Sequence, residues 1–276
     1  MTNITLDYEG FCPICQKTAT FKVVGNTWYR ASLQCQSCPT LSVPRERALT
    51  MVLEEQFPYW RDLKIHECSP VHRGISAKMK KEACHLLQTQ FYPDLPLGST
   101  EREFRNEDLQ KLTFADESFD LFISLDVMEH IPDPEAAIKE IYRTLKPGGA
   151  MICTWPVRKE QLAAIERRVV FNKDGSIKQH LKQPEYHGNP VSTEGALVTV
   201  DYGYEIHKLL TEWAPFDLRV IRFSDRTHGI LGEYTEVFLG KRPGPMKAQR
   251  PVNLDATNQE EPLQTGWRKL LRRVAG

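Results

Sequence analysis

The chain has 276 residues, enough for one α/β domain of ordinary size and a small companion. Its 36 basic and 36 acidic side chains cancel, which argues against a protein built to grip long nucleic acid, since such proteins carry a basic excess. The first ten residues, MTNITLDYEG, hold acids and no apolar core, so they do not read as a secretory signal, and no apolar run reaches bilayer length. The expected location is the cytoplasm, where thiols stay reduced, so the seven cysteines call for a role other than disulfides.

Four of them suggest that role. Cys12 and Cys15 form one CxxC pair, Cys35 and Cys38 a second. Each CxxC turn aims two sulfurs at one point, and two turns together make a tetrahedral thiolate set that suits zinc. The intervening TATFKVVGNTWYRASLQ is rich in β-branched and aromatic residues with Gly25-Asn26 at a turn, which predicts a hairpin and hence a zinc ribbon over residues 1–44. Four protein thiolates leave no open position, so the metal's expected role is structural, and a module this small should need it to fold.

Residues 44–57 place Leu49, Val52, Leu53 and Phe57 on one helical face, and read as a helix joining the ribbon to the main domain. The main domain is expected over 45–242. Its first strand is predicted at 63–68 (LKIHEC), followed by a helix over 75–88 and a second strand at 89–92. Phe119 to Leu125 is an apolar run of strand length. Pro132 and Pro134 open the next helix, with Ala137, Ile138, Ile141 and Leu145 at helical spacing. LKPGG should end it, with Gly148 or Gly149 as a left-handed cap, and residues 150–155 form the next strand. Strand, helix and strand in this order imply parallel neighbours in a right-handed unit.

Residues 157–206 are polar, with turn signals and few periodic runs. Within them Tyr186, His187, Gly188, Asn189 and Pro190 cluster hydrogen-bonding groups against a rigid end. Tyr186, His187 and Asn189 are the candidate substrate contacts, with an ordinary Gly-Asn-Pro turn as the alternative. A helix at 204–213 and strands at 218–224 and 235–241 follow. Residues 243–264 read as a flexible linker. In the last residues Trp267, Leu270, Leu271 and Val274 recur at i, i+3, i+4 and i+7 among four cations. This predicts a basic amphipathic helix that packs on its own domain, docks on a partner or makes weak contact with an anionic membrane surface.

The FDLFISLDVMEHIPDP segment, followed at this spacing by EIYRTLKPGGAMICTWP, resembles the class I S-adenosylmethionine-dependent methyltransferases of the methyltransferase-11 type. The resemblance implies a doubly wound, mostly parallel seven-stranded sheet with S-adenosylmethionine as cofactor. It also implies site residues. The family's first strand ends in an acidic residue and a glycine-rich turn; here ECSPVHRGIS aligns Glu67 with the acid and Ser69 with the first glycine, and Gly74 comes late. Those missing glycines are where the resemblance is weakest. The acid that holds the ribose hydroxyls has no direct match: Asp94 is nearest, with Gln90 as a substitute acceptor, and Asp94 is equally placed to be a turn residue between Pro93 and Pro96.

In the same alignment, Asp108, with Leu109 beside it, stands where the family recognises adenine, or else it turns the chain. Asp126 and Val127 would lie beside the methionine part of the cofactor. His130 is the nearest group able to act as a base at neutral pH, or a structural element at the head of the helix. The expected acceptor is a small-molecule, glycan or lipid-linked biosynthetic intermediate. Ribosomal RNA and a non-catalytic binding scaffold are the alternatives, and the charge balance counts against nucleic acid.

Overall fold

A computed structural model describes residues 6–26, 28–172, 174–189 and 192–246, with Ser192 in its backbone only. The linker beyond Met246 and the expected amphipathic helix lie outside the described residues. Strands β1 (Asp7–Cys12) and β2 (Lys17–Val23) pair antiparallel, with Cys12 opposite Lys17, so the first CxxC is itself the hairpin turn. The short helix α1 (Tyr29–Ser32) leads into β3 (Leu33–Cys35), which pairs with β2 and sets Phe21 opposite Cys35. The hairpin expected between the two CxxC pairs is thus β2 and β3, and β1 adds a third strand in front of it.

Helix α2 (Pro44–Gln56) starts with Pro44 in its first turn, and Glu46 folds back to accept from the Val43 amide at 3.0 Å. Strand β4 (Lys64–Cys68) follows, then α3 (Gly74–Glu82) and β5 (His85–Gln90). Here the sequence expectation needs correction: the helix stops at Glu82, and His85 already pairs with Lys64 in the sheet. Leu86 and Leu87 fit a helical face and a buried strand equally well, and the pairing partner decides between them.

Strands β6 (Thr100–Glu101), β7 (Phe104–Asn106) and β8 (Phe119–Leu125) follow. Helix α4 (Pro134–Thr144) is capped by Asp133, whose side chain accepts from the Ala136 amide at 3.2 Å. Strand β9 (Leu145–Thr154) begins at LKPGG rather than after it, and Gly148 takes the left-handed conformation (φ 80). The polar stretch read without regular structure is strand-rich: β10 (Ile165–Arg167), β11 (Val169–Phe171), β12 (Ile177–His180), β13 (Tyr186–Asn189), β14 (Ser192–Leu197) and β15 (Val200–Tyr202). They pair antiparallel as β10 with β15, β11 with β12 and β13 with β14. Helix α5 (Ile206–Trp213) and strands β16 (Asp217–Arg222) and β17 (Glu236–Lys241) end the described domain.

The main sheet has eight strands rather than the expected seven, in the order β16-β17-β9-β8-β4-β5-β7-β6, because the two-residue β6 adds an edge beyond β7. Strands β7, β5, β4, β8 and β9 are mutually parallel, β17 is antiparallel to β9, and short β6 is an antiparallel edge. From β4 the chain first builds outward to β5 and β7, then returns to β8 on the other side. In open α/β sheets ligands bind outside the carboxyl ends of the strands at such a reversal, here those of β4 and β8.

Strand β8 is buried on both faces. Leu121 and Ile123 join a core with Leu49 and Leu53 of α2, Ile75 and Met79 of α3, and Phe21 and Leu33 of the N-terminal hairpins. Phe122 faces the other core, with Ile138, Ile141, Met151, Trp155 and Phe238, where Trp155 stacks on Phe238 with centroids 3.9 Å apart. The cysteine module therefore shares its core with the sheet.

The loop before β17 closes the module from the other side. Buried Arg47 donates to the Gly229 carbonyl (Nη2, 2.6 Å) and the Leu33 carbonyl (2.8 Å), and the Phe11 amide donates to the Thr227 carbonyl at 2.8 Å. Gly229 has φ +66, and a Cβ there would meet the Phe21 ring at 2.6 Å, so both conformation and contact demand glycine. The shared core makes a prediction: Leu121→Ala should cost about 2–5 kcal/mol. Chemical unfolding should show the hairpin module and the sheet melting in one transition. Separate transitions by tryptophan fluorescence and by circular dichroism would show two independent units.

Candidate active site and metal centres

The four ribbon cysteines converge. Their sulfurs all lie within 4.8 Å of one another, with Cys12 to Cys38 at 3.5 Å and Cys15 to Cys35 at 3.9 Å. A tetrahedron with metal–sulfur distances of about 2.3 Å has edges of roughly 3.8 Å, so the set fits a zinc-sized ion. Ser42 Oγ stands 3.2 Å from the Cys38 sulfur, and the Cys12 thiol is pushed down by hydrogen bonds from Cys35 and Cys38. The Arg47 guanidinium is buried nearby, where its charge offsets that of thiolates.

At the end of β4 Glu67 is fully buried, and Gln88 Nε2 donates to it at 2.8 Å. Burial pushes its pKa up to about 7. Ser69 adopts a left-handed backbone (φ 51), the conformation a glycine would take more cheaply, and its amide donates to the Thr89 carbonyl at 2.8 Å. Gly74 faces away from the crevice. A Cβ there would meet the Glu46 carboxylate at 2.1 Å, and its amide donates to Thr40 Oγ1 at 3.0 Å. The absent side chain thus lets α2 and the ribbon pack on the start of α3, where Glu46 is a buried anion at a helix N-terminus.

Gln90, at the end of β5, is buried, and its Nε2 has no hydrogen-bond partner among the described residues. Asp94 lies exposed in the following turn. Asn106 holds that loop down, accepting from the Tyr92 amide at 2.8 Å and donating to the Leu95 carbonyl at 2.8 Å. After β7, Asp108 accepts from the amide (2.9 Å) and side chain (3.0 Å) of Gln110, an Asx turn, and Leu109 is buried. The orphaned Gln90 donor, the Asp108 carboxylate and the Ser69 turn lie at the ends of β5, β7 and β4, on one side of the reversal point. A cavity of about 280 Å³ adjoins it, lined by Pro70, Val71, His72, Ser76, Gln88 and Phe104 among others.

The other half is set at the end of β8. Asp126 has a left-handed backbone (φ 55). Its carboxylate pairs with Arg30 of α1, with Arg45 Nε of α2 at 2.9 Å, and with Thr154 Oγ1 at 2.9 Å. Burial would raise its pKa, but Arg30 and Arg45 together outweigh that and hold it below the usual range. Val127 is buried, and Met128, Glu129 and His130 form one 3-10 turn.

The inserted strands are stitched onto this turn. Tyr202 Oη donates to the Met128 carbonyl at 2.9 Å, and the Thr199 amide donates to the Glu129 carbonyl at 2.8 Å. Buried Asp201 binds the insertion together through Arg158, Arg168 and Lys182. The result sets His187 of β13 edge-on to His130, with ring centroids 5.1 Å apart. His130 Nδ1 lies 2.9 Å from the Leu197 carbonyl and His187 Nε2 lies 3.2 Å from Glu185. Glu129 holds the pKa of His187 above its ordinary value. Tyr186 is exposed and Asn189 half-buried on the same strand.

Sequence reasoning thus named both histidines but not their meeting. It missed Arg30, Arg45, Glu129 and Glu185. The two arginines had no signal in spacing, because their partner lies more than 80 positions away. Glu129 stood in the quoted VMEH turn, and its adjacency to His130 was the available clue.

The methyltransferase domain family matches residues 71–153, from the loop after β4 to the end of β9. The chain is similar to a ubiquinone biosynthesis O-methyltransferase of Cereibacter sphaeroides, 40% identical over 52 residues, 19% of this chain and 21% of that one. It is also similar to cycloartenol-C-24-methyltransferase 1 of Oryza sativa subsp. japonica, 44% identical over 46 residues, 17% of this chain and 13% of the relative. A third relative is phosphoethanolamine N-methyltransferase 2 of Caenorhabditis elegans, 49% identical over 41 residues, 15% and 9% of the two chains. The chain spans about a fifth of the ubiquinone-pathway relative's length. Among solved structures, an S-adenosylmethionine-dependent methyltransferase from Mesorhizobium loti aligns over 71% of this chain and 97% of its own, with 14% identity and a TM-score of 0.46.

Glu67 yields a prediction independent of function. Its folded pKa of about 7 lies above the ordinary 4.5. Between those values the unfolded chain gives up its proton while the folded chain keeps it, so stability falls as pH rises. The loss is about 3 kcal/mol once pH passes the folded pKa. Glu67→Gln should remove it, so the variant's melting temperature gains on the parent's between about pH 5 and pH 8. Parallel melting profiles across that window would show that Glu67 ionises as freely folded as unfolded.

Proposed function

We propose that this chain is an S-adenosylmethionine-dependent methyltransferase acting on a small-molecule, glycan or lipid-linked intermediate. The observation that carries the reading is the family match over residues 71–153, which falls on the loops and strand ends bordering the sheet's reversal point. The cofactor, when bound, supplies an electrophilic methyl group, so the protein's task is to hold and align. Asp108 would accept from the adenine amino group and Gln90 would serve the ribose. The ends of β4 and β8 would flank the methionine portion. His130, with Nδ1 committed to Leu197, keeps Nε2 available to take a proton from the acceptor. The relatives' names include O-, C- and N-methyl transfer, so the attacking atom is left open.

The cysteine module is proposed to hold one structural zinc through Cys12, Cys15, Cys35 and Cys38. Metal analysis of purified protein should find a zinc that Cys12→Ser removes. Because module and sheet share a core, that variant should also lower global stability. Retention of thiolate-bound metal by Cys12→Ser, read from the charge-transfer bands of the cobalt-substituted protein, would refute this assignment.

A second reading is supported by the Asp126 cluster: a carboxylate expected at the cofactor is engaged by two arginines of the N-terminal module, as a binding scaffold without catalysis would allow. Calorimetry with S-adenosylmethionine decides between them. The enzyme reading expects saturable binding that Asp108→Ala weakens by about 1–3 kcal/mol without loss of fold. No heat of binding would favour the scaffold.

A further inference from the structure

Glu129, His130 and His187 present one carboxylate and two imidazoles whose donor atoms all lie within 4.8 Å of one another. The Glu129 side chain is only 3% exposed, and neither of its oxygens accepts a hydrogen bond among the described residues. Its nearest basic atoms are His187 Nδ1 at 3.5 Å and His130 Nε2 at 3.9 Å. A buried carboxylate without close donors is costly, and a cation at the centre of this arrangement would answer it more fully than the charges of His187 and Arg30 that reach it now.

The outer contacts show which nitrogen is free on each ring. His130 Nδ1 lies 2.9 Å from the Leu197 carbonyl, which can only accept, so that nitrogen carries the hydrogen and Nε2 keeps a lone pair in the neutral ring. His187 Nε2 faces the Glu185 carboxylate at 3.2 Å, leaving the Nδ1 lone pair towards Glu129. Both rings therefore show the outer hydrogen bond that metal-binding histidines use to fix orientation and tautomer. A proton on His187 would serve one side of Glu129 and leave His130 Nε2 unused; a metal ion serves all three groups. Ligand atoms about 2.1 Å from an ion stand about 3.0–3.4 Å apart, so the 3.5 Å separation needs a small closure of β13 and the 3.9 Å one a small side-chain rotation within the Met128–His130 turn.

We propose that Glu129, His130 and His187 bind a second metal ion, a divalent transition metal of the zinc class, distinct from the thiolate site. Three protein ligands leave coordination open, and with His130 16% and His187 33% exposed the site opens to solvent. Set between the end of β8 and the inserted strands, the ion would take an oxygen of the acceptor and favour its loss of a proton to solvent, in place of the base role given above to His130 Nε2, which is then a ligand. That last role rests on the methyltransferase reading; metal binding itself does not.

The test titrates full-length protein, its thiolate site already filled, with Zn²⁺ and with Co²⁺ by calorimetry and absorption. One further equivalent should bind, and its cobalt spectrum should lack thiolate charge-transfer bands. Glu129→Gln and His187→Ala should each weaken binding at least about 10-fold, the scale seen for lesser changes in a metal's surroundings. His187 lies on a half-exposed hairpin, so its variant keeps the parent's melting curve without metal. Absence of a further equivalent, or equal binding by His187→Ala, overturns the proposal. If the metal binds but S-adenosylmethionine does not, the site stands and the methyl-transfer reading falls.

Discussion

The carboxylate of Asp126 sits where three parts of the chain meet. It ends the central strand β8, accepts from Thr154 at the end of β9, and binds Arg30 and Arg45 from the N-terminal module. A buried guanidinium such as that of Arg30, 1% exposed, is tolerable only when its charge is answered. Asp126 answers it, with the Tyr234 carbonyl as a second acceptor. The module is therefore not tethered to the sheet by a linker; it is locked to the rim of the crevice by paired charge, and an apolar core continues beneath. Removing either side of the lock would strand a charge in the interior.

The same logic organises the rest of the rim. Two further buried carboxylates have answering cations. Glu46 meets Arg73 at the start of α3, and Asp201 gathers Arg158, Arg168 and Lys182 of the insertion. Glu67 and Glu129 are as buried but have no such close cation among the described residues: Gln88 donates to Glu67, and the nearest basic atoms to Glu129 are imidazole nitrogens at 3.5 and 3.9 Å.

The sheet was readable from the sequence because parallel strands buried on both faces announce themselves. FDLFISL is nearly all apolar, and the proline-opened helix and LKPGG stop bracket the crossover. The end of α3 was not readable, since adjacent leucines satisfy either period until a partner strand is known. The inserted hairpins were missed for a different reason. Their strands are three to six residues long and polar on most faces, held by ion pairs rather than by apolar alternation. The convergence of the four cysteines was readable because each CxxC turn brings its two sulfurs together over a short local spacing. Arg30 and Arg45 were not, because a charge pair closed through the fold leaves no local spacing at all. Gly74 shows how a residue can be noticed for the wrong reason: its conformation is special, but the constraint comes from Glu46.

The contacts of Arg47 and Phe21 bear on the order in which the molecule can be assembled. Phe21 needs the bare backbone of Gly229, and Arg47 donates to that residue's carbonyl, although both side chains belong to a segment made long before it. On a ribosome the cysteine hairpins emerge roughly two hundred residues before the loop that completes their packing, and contacts so distant in sequence form late because a large loop must close first. Until that loop arrives, the nascent module exposes an aromatic ring and a guanidinium still missing an acceptor. Capture of the proposed zinc by the paired CxxC turns would need only nearby residues, so it would hold the early chain together while the rest is synthesised.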